Sequence, residues 1–179
     1  MDLKGSRTEK NLLKTFAGES RARNKYTFYG EKARLEGYEY IASVFYATAE
    51  NEKAHAREVY GRYLKKVRNT SDNLEDSAAG EAAESRKLYK QFEDEARAEG
   101  FEEIADFYKE LAEVEENHMN RFMIIKENLD NGDAFKRDME VMWQCMNCGY
   151  IHIGTEAPKF CPLCKFPRAY FKIYCQDYK

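Results

Sequence analysis

The sequence predicts a mainly α protein: a four-helix bundle over residues 1–132, then a small β-type metal-knuckle domain over residues 138–179. Three observations predict this. Helical periodicity runs through four segments, the second pair of segments repeats the first, and all five cysteines follow the point where the helical pattern stops.

The helices are expected at 8–35, 38–66, 77–98 and 101–129, with Gly37 and Gly100 as the natural stops of the first and third. A polar run, Asn69 to Asn73, reads as the connector between the second and third helices. Phe16, Tyr26, Phe45, Tyr60, Tyr89, Phe92, Phe107, Tyr108 and Phe122 recur at helical spacing and are expected to fill the bundle core. The last helix ends at Asn131-Gly132-Asp133.

The repeat is visible by eye. Ala33-Arg34-Leu35-Glu36-Gly37 aligns with Ala96-Arg97-Ala98-Glu99-Gly100, and the same register carries Glu52 onto Glu115 and His55 onto His118. About half of the positions from Ala33 to His55 are identical to their counterparts. Upstream, Ala17-Gly18-Glu19 aligns with Ala79-Gly80-Glu81 after a register change of one residue. Each half is therefore a helix, a short turn and a second helix carrying Glu-x-x-His.

Composition narrows the function classes. A formal net charge of −3 leaves no electrostatic footprint for nucleic acid. There is no apolar run of membrane-spanning length and no apolar core of a signal peptide after Met1, so a cytoplasmic protein with no membrane partner is expected.

The chemistry lies in the two Glu-x-x-His copies. A carboxylate and an imidazole at i and i+3 project from one side of a helix and can serve one metal centre. A dimetal site in a four-helix bundle takes Glu-x-x-His from two helices and a Glu from each of the other two, the constellation of ferritin-like carboxylate proteins. Glu52, His55, Glu115 and His118 give the first part, and Glu19 and Glu81 give the second. Glu84 is an additional carboxylate three residues after Glu81, whereas Arg21, Ala22 and Arg23 occupy the equivalent stretch of the first helix. Beyond the bundle, Cys145, Cys148, Cys161 and Cys164 form two facing Cys-x-x-Cys pairs, enough for a tetrahedral four-thiolate site. Spacing alone leaves zinc and iron open there. Cys175 is unpaired and is read as a small packed hydrophobe.

Taken in order, these stretches resemble the rubrerythrin family over essentially the whole chain. The resemblance rests on Phe16-Ala17-Gly18-Glu19-Ser20-Arg21-Ala22-Arg23-Asn24, the two Glu-x-x-His copies, Ala79-Gly80-Glu81-Ala82-Ala83-Glu84, and the knuckles Cys145 to Tyr150 and Cys161 to Cys164. It implies a ferritin-like bundle with a non-haem di-iron site and a rubredoxin-like domain holding one iron on four cysteines. It also implies reduction of hydrogen peroxide in oxidative stress defence, with an external electron donor such as a rubredoxin or a nicotinamide-dependent reductase. The resemblance makes Glu52 and Glu115 bridging ligands, Glu19 and Glu81 terminal ligands, and His118 the nitrogen ligand of the second iron. Glu84 and His55 become alternatives at the first. Tyr26 and Tyr89, seven residues after Glu19 and eight after Glu81, match the family's tyrosines that hydrogen-bond the ligands. Ferroxidase or iron-handling activity, and a metal-stabilised structural or binding protein, are the competing readings.

A homodimer is expected. In a ferritin-like bundle the second and third helices are parallel, so the connector runs back along the bundle. With a connector from Val67 to Asp76 that crossing is possible but nearly taut, leaving both an in-chain bundle and a domain-swapped dimer open.

Overall fold

The computed structural model describes residues 2–175; residue 1 and residues 176–179, the end of the expected 138–179 domain, lie outside the described part. The chain divides into two compact units with the boundary between Asn69 and Thr70.

The first unit is a helical hairpin. Helix α1 (Arg7–Leu35) starts at an N-cap serine: Ser6 Oγ accepts the Glu9 N–H at 3.0 Å, and Glu9 Oε2 reaches past the cap to accept the Gly5 N–H at 2.6 Å. It stops in a Schellman turn, with the Tyr38 N–H on the Ala33 carbonyl at 2.9 Å and Gly37 at φ +85°. Helix α2 (Glu39–Arg57) continues through a π-helical stretch, Glu58–Tyr63. The seam between the two helices is made of small residues. Ala42, Ala49 and Ala56, seven apart, are buried on α2, with Gly30 and Ala33 on α1. A Cβ at Gly30 would lie 2.8 Å from the Tyr46 ring, so only glycine permits this approach.

The second unit opens with α3 (Thr70–Ala83), which passes through a π turn, Glu84–Leu88, into α4 (Tyr89–Ala98). After a turn at Gly100 comes α5 (Glu102–Asp130). The hairpin turn copies the first: Phe101 N–H meets the Ala96 carbonyl at 2.8 Å, and the Arg34–Glu39 ion pair recurs as Arg97–Glu102. Ala78, Ser85, Ala96, Ala105 and Met119 are buried in this unit's helices.

Two expectations are corrected. The run from Thr70 to Asn73 is the first turn of α3 rather than connector, because Ser71 Oγ donates to Asp130 Oδ1 at 2.6 Å and docks that polar turn on the end of α5. The second helix ends at Tyr63 rather than Lys66, closed by Leu64 N–H on the Val59 carbonyl and Lys66 N–H on the Tyr60 carbonyl, with Lys65 left-handed at φ +52°. Within each unit the aromatic rings flank the alanine seam instead of filling it: most are half-buried, as in the Phe16–Tyr60 stack at 4.4 Å, and Phe107 is exposed.

After α5 the chain forms a three-stranded antiparallel sheet, β1 (Lys136–Cys145), β2 (Ile151–Glu156) and β3 (Phe171–Ile173), ordered β2-β1-β3. Trp143, Cys145, Ala157, Cys161 and Phe171 form its buried core. The Trp143 Nε1–H donates to the Gly154 carbonyl at 3.0 Å, satisfying its one polar atom. Among the described residues, no helix is long and apolar enough to cross a membrane.

Candidate metal centres

The four knuckle cysteines converge. Their sulfurs lie within 4.8 Å of one another, with Cys145–Cys164 at 3.7 Å and Cys148–Cys161 at 3.6 Å. A tetrahedron of thiolates at metal–sulfur distances of about 2.3 Å has edges of about 3.8 Å, so the spacing fits one metal ion. Two similar turns build it. Gly149, at φ +79°, donates its N–H to the Cys145 carbonyl at 2.8 Å; Lys165, at φ +63°, donates to the Cys161 carbonyl at 2.9 Å. Four thiols this close cannot all ionise without a cation. The Tyr150 amide favours the Cys148 thiolate, but desolvation and the neighbouring cysteines outweigh it and push that thiol up to about 12. Desolvation opposes ionisation of Cys164 too, yet the Phe166 amide and the Asn147 side chain help bring it down to about 6. Cys175 is exposed, which corrects its reading as a packed residue: it lies beyond β3, past the knuckle's core.

In the first unit, Glu19 on α1 and Glu52 and His55 on α2 bring their ligand atoms together within 4.8 Å. His55 Nδ1 lies 2.9 Å from Glu52 Oε2 and 3.4 Å from Glu19 Oε2. Hydrogen bonds to Glu52 and then Glu19 raise the His55 pKa above its ordinary value. In the second unit Glu81, Glu115 and His118 form the matching cluster, with His118 Nδ1 2.7 Å from Glu115 Oε2 and 4.0 Å from Glu81 Oε2. Burial, and then a hydrogen bond to Glu115, pushes Glu81 above the usual carboxylate range. Both clusters thus hold two carboxylates and an imidazole nitrogen, a hard, anionic donor set suited to iron.

Glu84 and Tyr89 meet across the π turn. The Tyr89 hydroxyl donates to Glu84 Oε2 at 3.3 Å, and burial, followed by the Glu84 charge, raises the Tyr89 pKa. Tyr26, the equivalent residue of the first unit, packs instead on Phe45 and Tyr29.

Comparison with known proteins agrees with this geometry. The family model described as rubrerythrin matches residues 10–126 and 72–141, and that for the rubrerythrin rubredoxin-like domain matches residues 143–172. The chain is similar to rubrerythrin of Porphyromonas gingivalis, 44% identical with 98% of this chain and 94% of the relative covered. It is similar to rubrerythrin of Clostridium perfringens, at 42% with 98% of each covered, and of Nitratidesulfovibrio vulgaris, at 41% with 96% of each covered. The chain belongs to the rubrerythrin family.

Membership resolves the metal that spacing left open. The family's cofactors are a di-iron site built from carboxylate and histidine groups and a four-cysteine iron, and the donor sets here fit both. The fold class is correspondingly ferritin-like with a rubredoxin-like appendage. Sequence reading missed the π turn at Glu84–Leu88, although its trace was present. The repeat slips by one residue between Glu81 and Ala96, and one extra residue in a helix is accommodated as a π turn. It also missed Asn147, which favours the Cys164 thiolate.

Proposed function

We propose that this chain is a non-haem di-iron peroxidase, reducing hydrogen peroxide to two waters with two electrons and two protons, in oxidative stress defence. One observation carries the reading: carboxylate–histidine clusters and a four-thiolate site coexist in one chain. A storage shell has no use for an appended redox centre, whereas a reductase needs one that changes charge with little change in geometry. The functional division proposed is the bundle at 1–132 and the electron-transfer domain at 138–179.

The two bundle irons, when bound, supply one electron each to cleave the O–O bond. In this reading Glu52 and Glu115 would be shared by both irons, Glu19 and Glu81 would each hold one, and His118 would hold the second. Glu84 and His55 would be the alternatives at the first, since carboxylate oxygen suits a ferric ion and neutral imidazole a ferrous one. The Tyr89 hydroxyl steadies the free position of Glu84. The electrons come from outside, from a donor such as rubredoxin or a nicotinamide-dependent reductase, to a homodimer in the cytoplasm.

The test is stopped-flow oxidation of fully reduced protein. Hydrogen peroxide is expected to oxidise it faster than dioxygen. Faster oxidation by dioxygen points to a ferroxidase or iron-handling role, and colourless protein after iron loading to a zinc-stabilised structural one.

A further inference from the structure

We infer that each di-iron centre is built from two chains, with α1 and α2 of one copy facing α3, α4 and α5 of the other. This rests on the di-iron reading above and concerns how the site is completed.

The argument is one of reach. Glu52 lies eleven residues before the end of its helix at Tyr63, about 16 Å at 1.5 Å per residue. Glu81 lies eleven residues after the start of α3 at Thr70, another 16 Å or so. In a ferritin-like bundle these helices are parallel and both glutamates sit at one level. A chain closing its own site must therefore travel back about 33 Å, and sideways by one helix spacing of about 8–10 Å.

The connection is too short. From Tyr63 to Thr70 are seven Cα steps, at most about 25 Å when fully drawn out. Even that length is not free to extend. Its first part is wound into the helix end by the Leu64 and Lys66 amide bonds and the left-handed Lys65. Only the four steps from Lys66 to Thr70 remain, about 14 Å. Unwinding α3 to lengthen it would break the Ser71–Asp130 hydrogen bond of 2.6 Å, which fixes the first turn to α5.

A second copy is the occupant that removes the conflict. Each hairpin carries half of the ligands and an apolar stripe alongside them. Ile41 lies two heptads before His55 on α2 and is 47% exposed; Ile104 and Ile125, two heptads before and one after His118 on α5, are 48% and 46% exposed. Exchange of hairpins between two chains covers both stripes and completes two identical sites.

Complementation tests it. One chain carries E52A with H55A and the other E115A with H118A; the two are co-expressed with different tags, purified as heterodimer and loaded anaerobically with ferrous iron. Exchange gives one intact centre and one doubly defective centre, hence about four irons per heterodimer, two of them on cysteines. In-chain closure leaves both centres defective, and about two irons per heterodimer overturn the inference. The wild-type control separates this from the function: wild-type dimers without bundle iron overturn the di-iron reading as well. A second measurement avoids substitutions. Wild-type chains grown light and heavy are refolded together with ferrous iron and cross-linked. Cross-links joining residues 7–63 to residues 70–130 should be mixed light–heavy in about half of cases. Same-mass pairs alone, or a monomer at micromolar concentration, overturn the inference.

Discussion

The two carboxylate–histidine clusters are built from the same three residue types at matching places of the two hairpins, yet the helices around them differ. In the first, Glu19 lies on uninterrupted α-helix, Glu52 and His55 lie just before the π-helical stretch Glu58–Tyr63, and the His55 side chain is 61% exposed. In the second, the extra residue in Glu84–Leu88 widens the helix by one backbone position. Five residues then make one turn, so Glu84 and Tyr89 stand over each other and bond. His118 is the less exposed imidazole, at 37%. A duplicated hairpin gives two equal sets of candidate ligands, and one inserted residue gives one of them a third carboxylate with its own hydrogen-bond donor.

The largest test of that difference removes what the halves share. Glu52→Ala and Glu115→Ala should each abolish iron in the bundle, by metal analysis, while the cysteine-bound iron and its visible absorption remain. Equal losses sharpen the view that the shared ligands are equivalent; retention of bundle iron in either variant breaks it.

Glu84→Ala should act differently, because it has no counterpart in the first half. Bundle iron is expected to stay, and peroxide turnover to fall about 10- to 100-fold, the usual cost of losing a group that tunes a metal site. Unchanged turnover makes Glu84 a bystander. Tyr89→Phe probes the same asymmetry through the hydrogen bond that only the second half makes. Bundle iron should stay, and steady-state peroxide turnover is expected to fall roughly tenfold.

Where the halves agree, substitutions should agree too. Gly37 and Gly100 both occupy φ +85° in Schellman turns, with nothing within 4 Å of an added Cβ. Alanine at either should cost about 1 kcal/mol from the left-handed backbone alone, equally in the two hairpins, measured by denaturant unfolding.

Much of this was legible in sequence because it depends on local spacing. Glu-x-x-His on a helix, glycine at a helix stop and paired Cys-x-x-Cys each fix a short-range geometry, and each is found where spacing puts it. Three features were not legible, for separate reasons. The start of α3 depends on Asp130, fifty-nine residues away, which turns a polar run that reads as loop into a docked first turn. The alanine seams were obscured by the aromatic residues, whose size suggests core, although small side chains are what let two helices approach closely. The π turn showed only as a slipped register, because a helix with one extra residue keeps its periodicity on both sides.

The smallest effect concerns how the hairpins begin. Helix α1 is capped by its own first turn, Ser6 with Glu9, and needs nothing distant. Helix α3 is held from α5, where Asp130 accepts from Lys126 Nζ at 2.6 Å and from the Ser71 hydroxyl at 2.6 Å, with Glu75 3.9 Å from Lys126. Lys126 first and Ser71 second hold the Asp130 carboxyl below its usual range. A depressed carboxylate adds stability above its unfolded pKa, and that contribution fades as pH falls through the lower folded value. The second hairpin should therefore lose this tether only below the ordinary carboxylate range. Asp130→Asn is expected to lower the melting temperature by under about 2 °C at pH 7, since the group is exposed and screened by solvent. The deficit relative to wild type should shrink as the pH approaches 3. No deficit at pH 7 would mean that the Ser71 hydrogen bond, which asparagine can still accept, and not the charge, holds α3 in place.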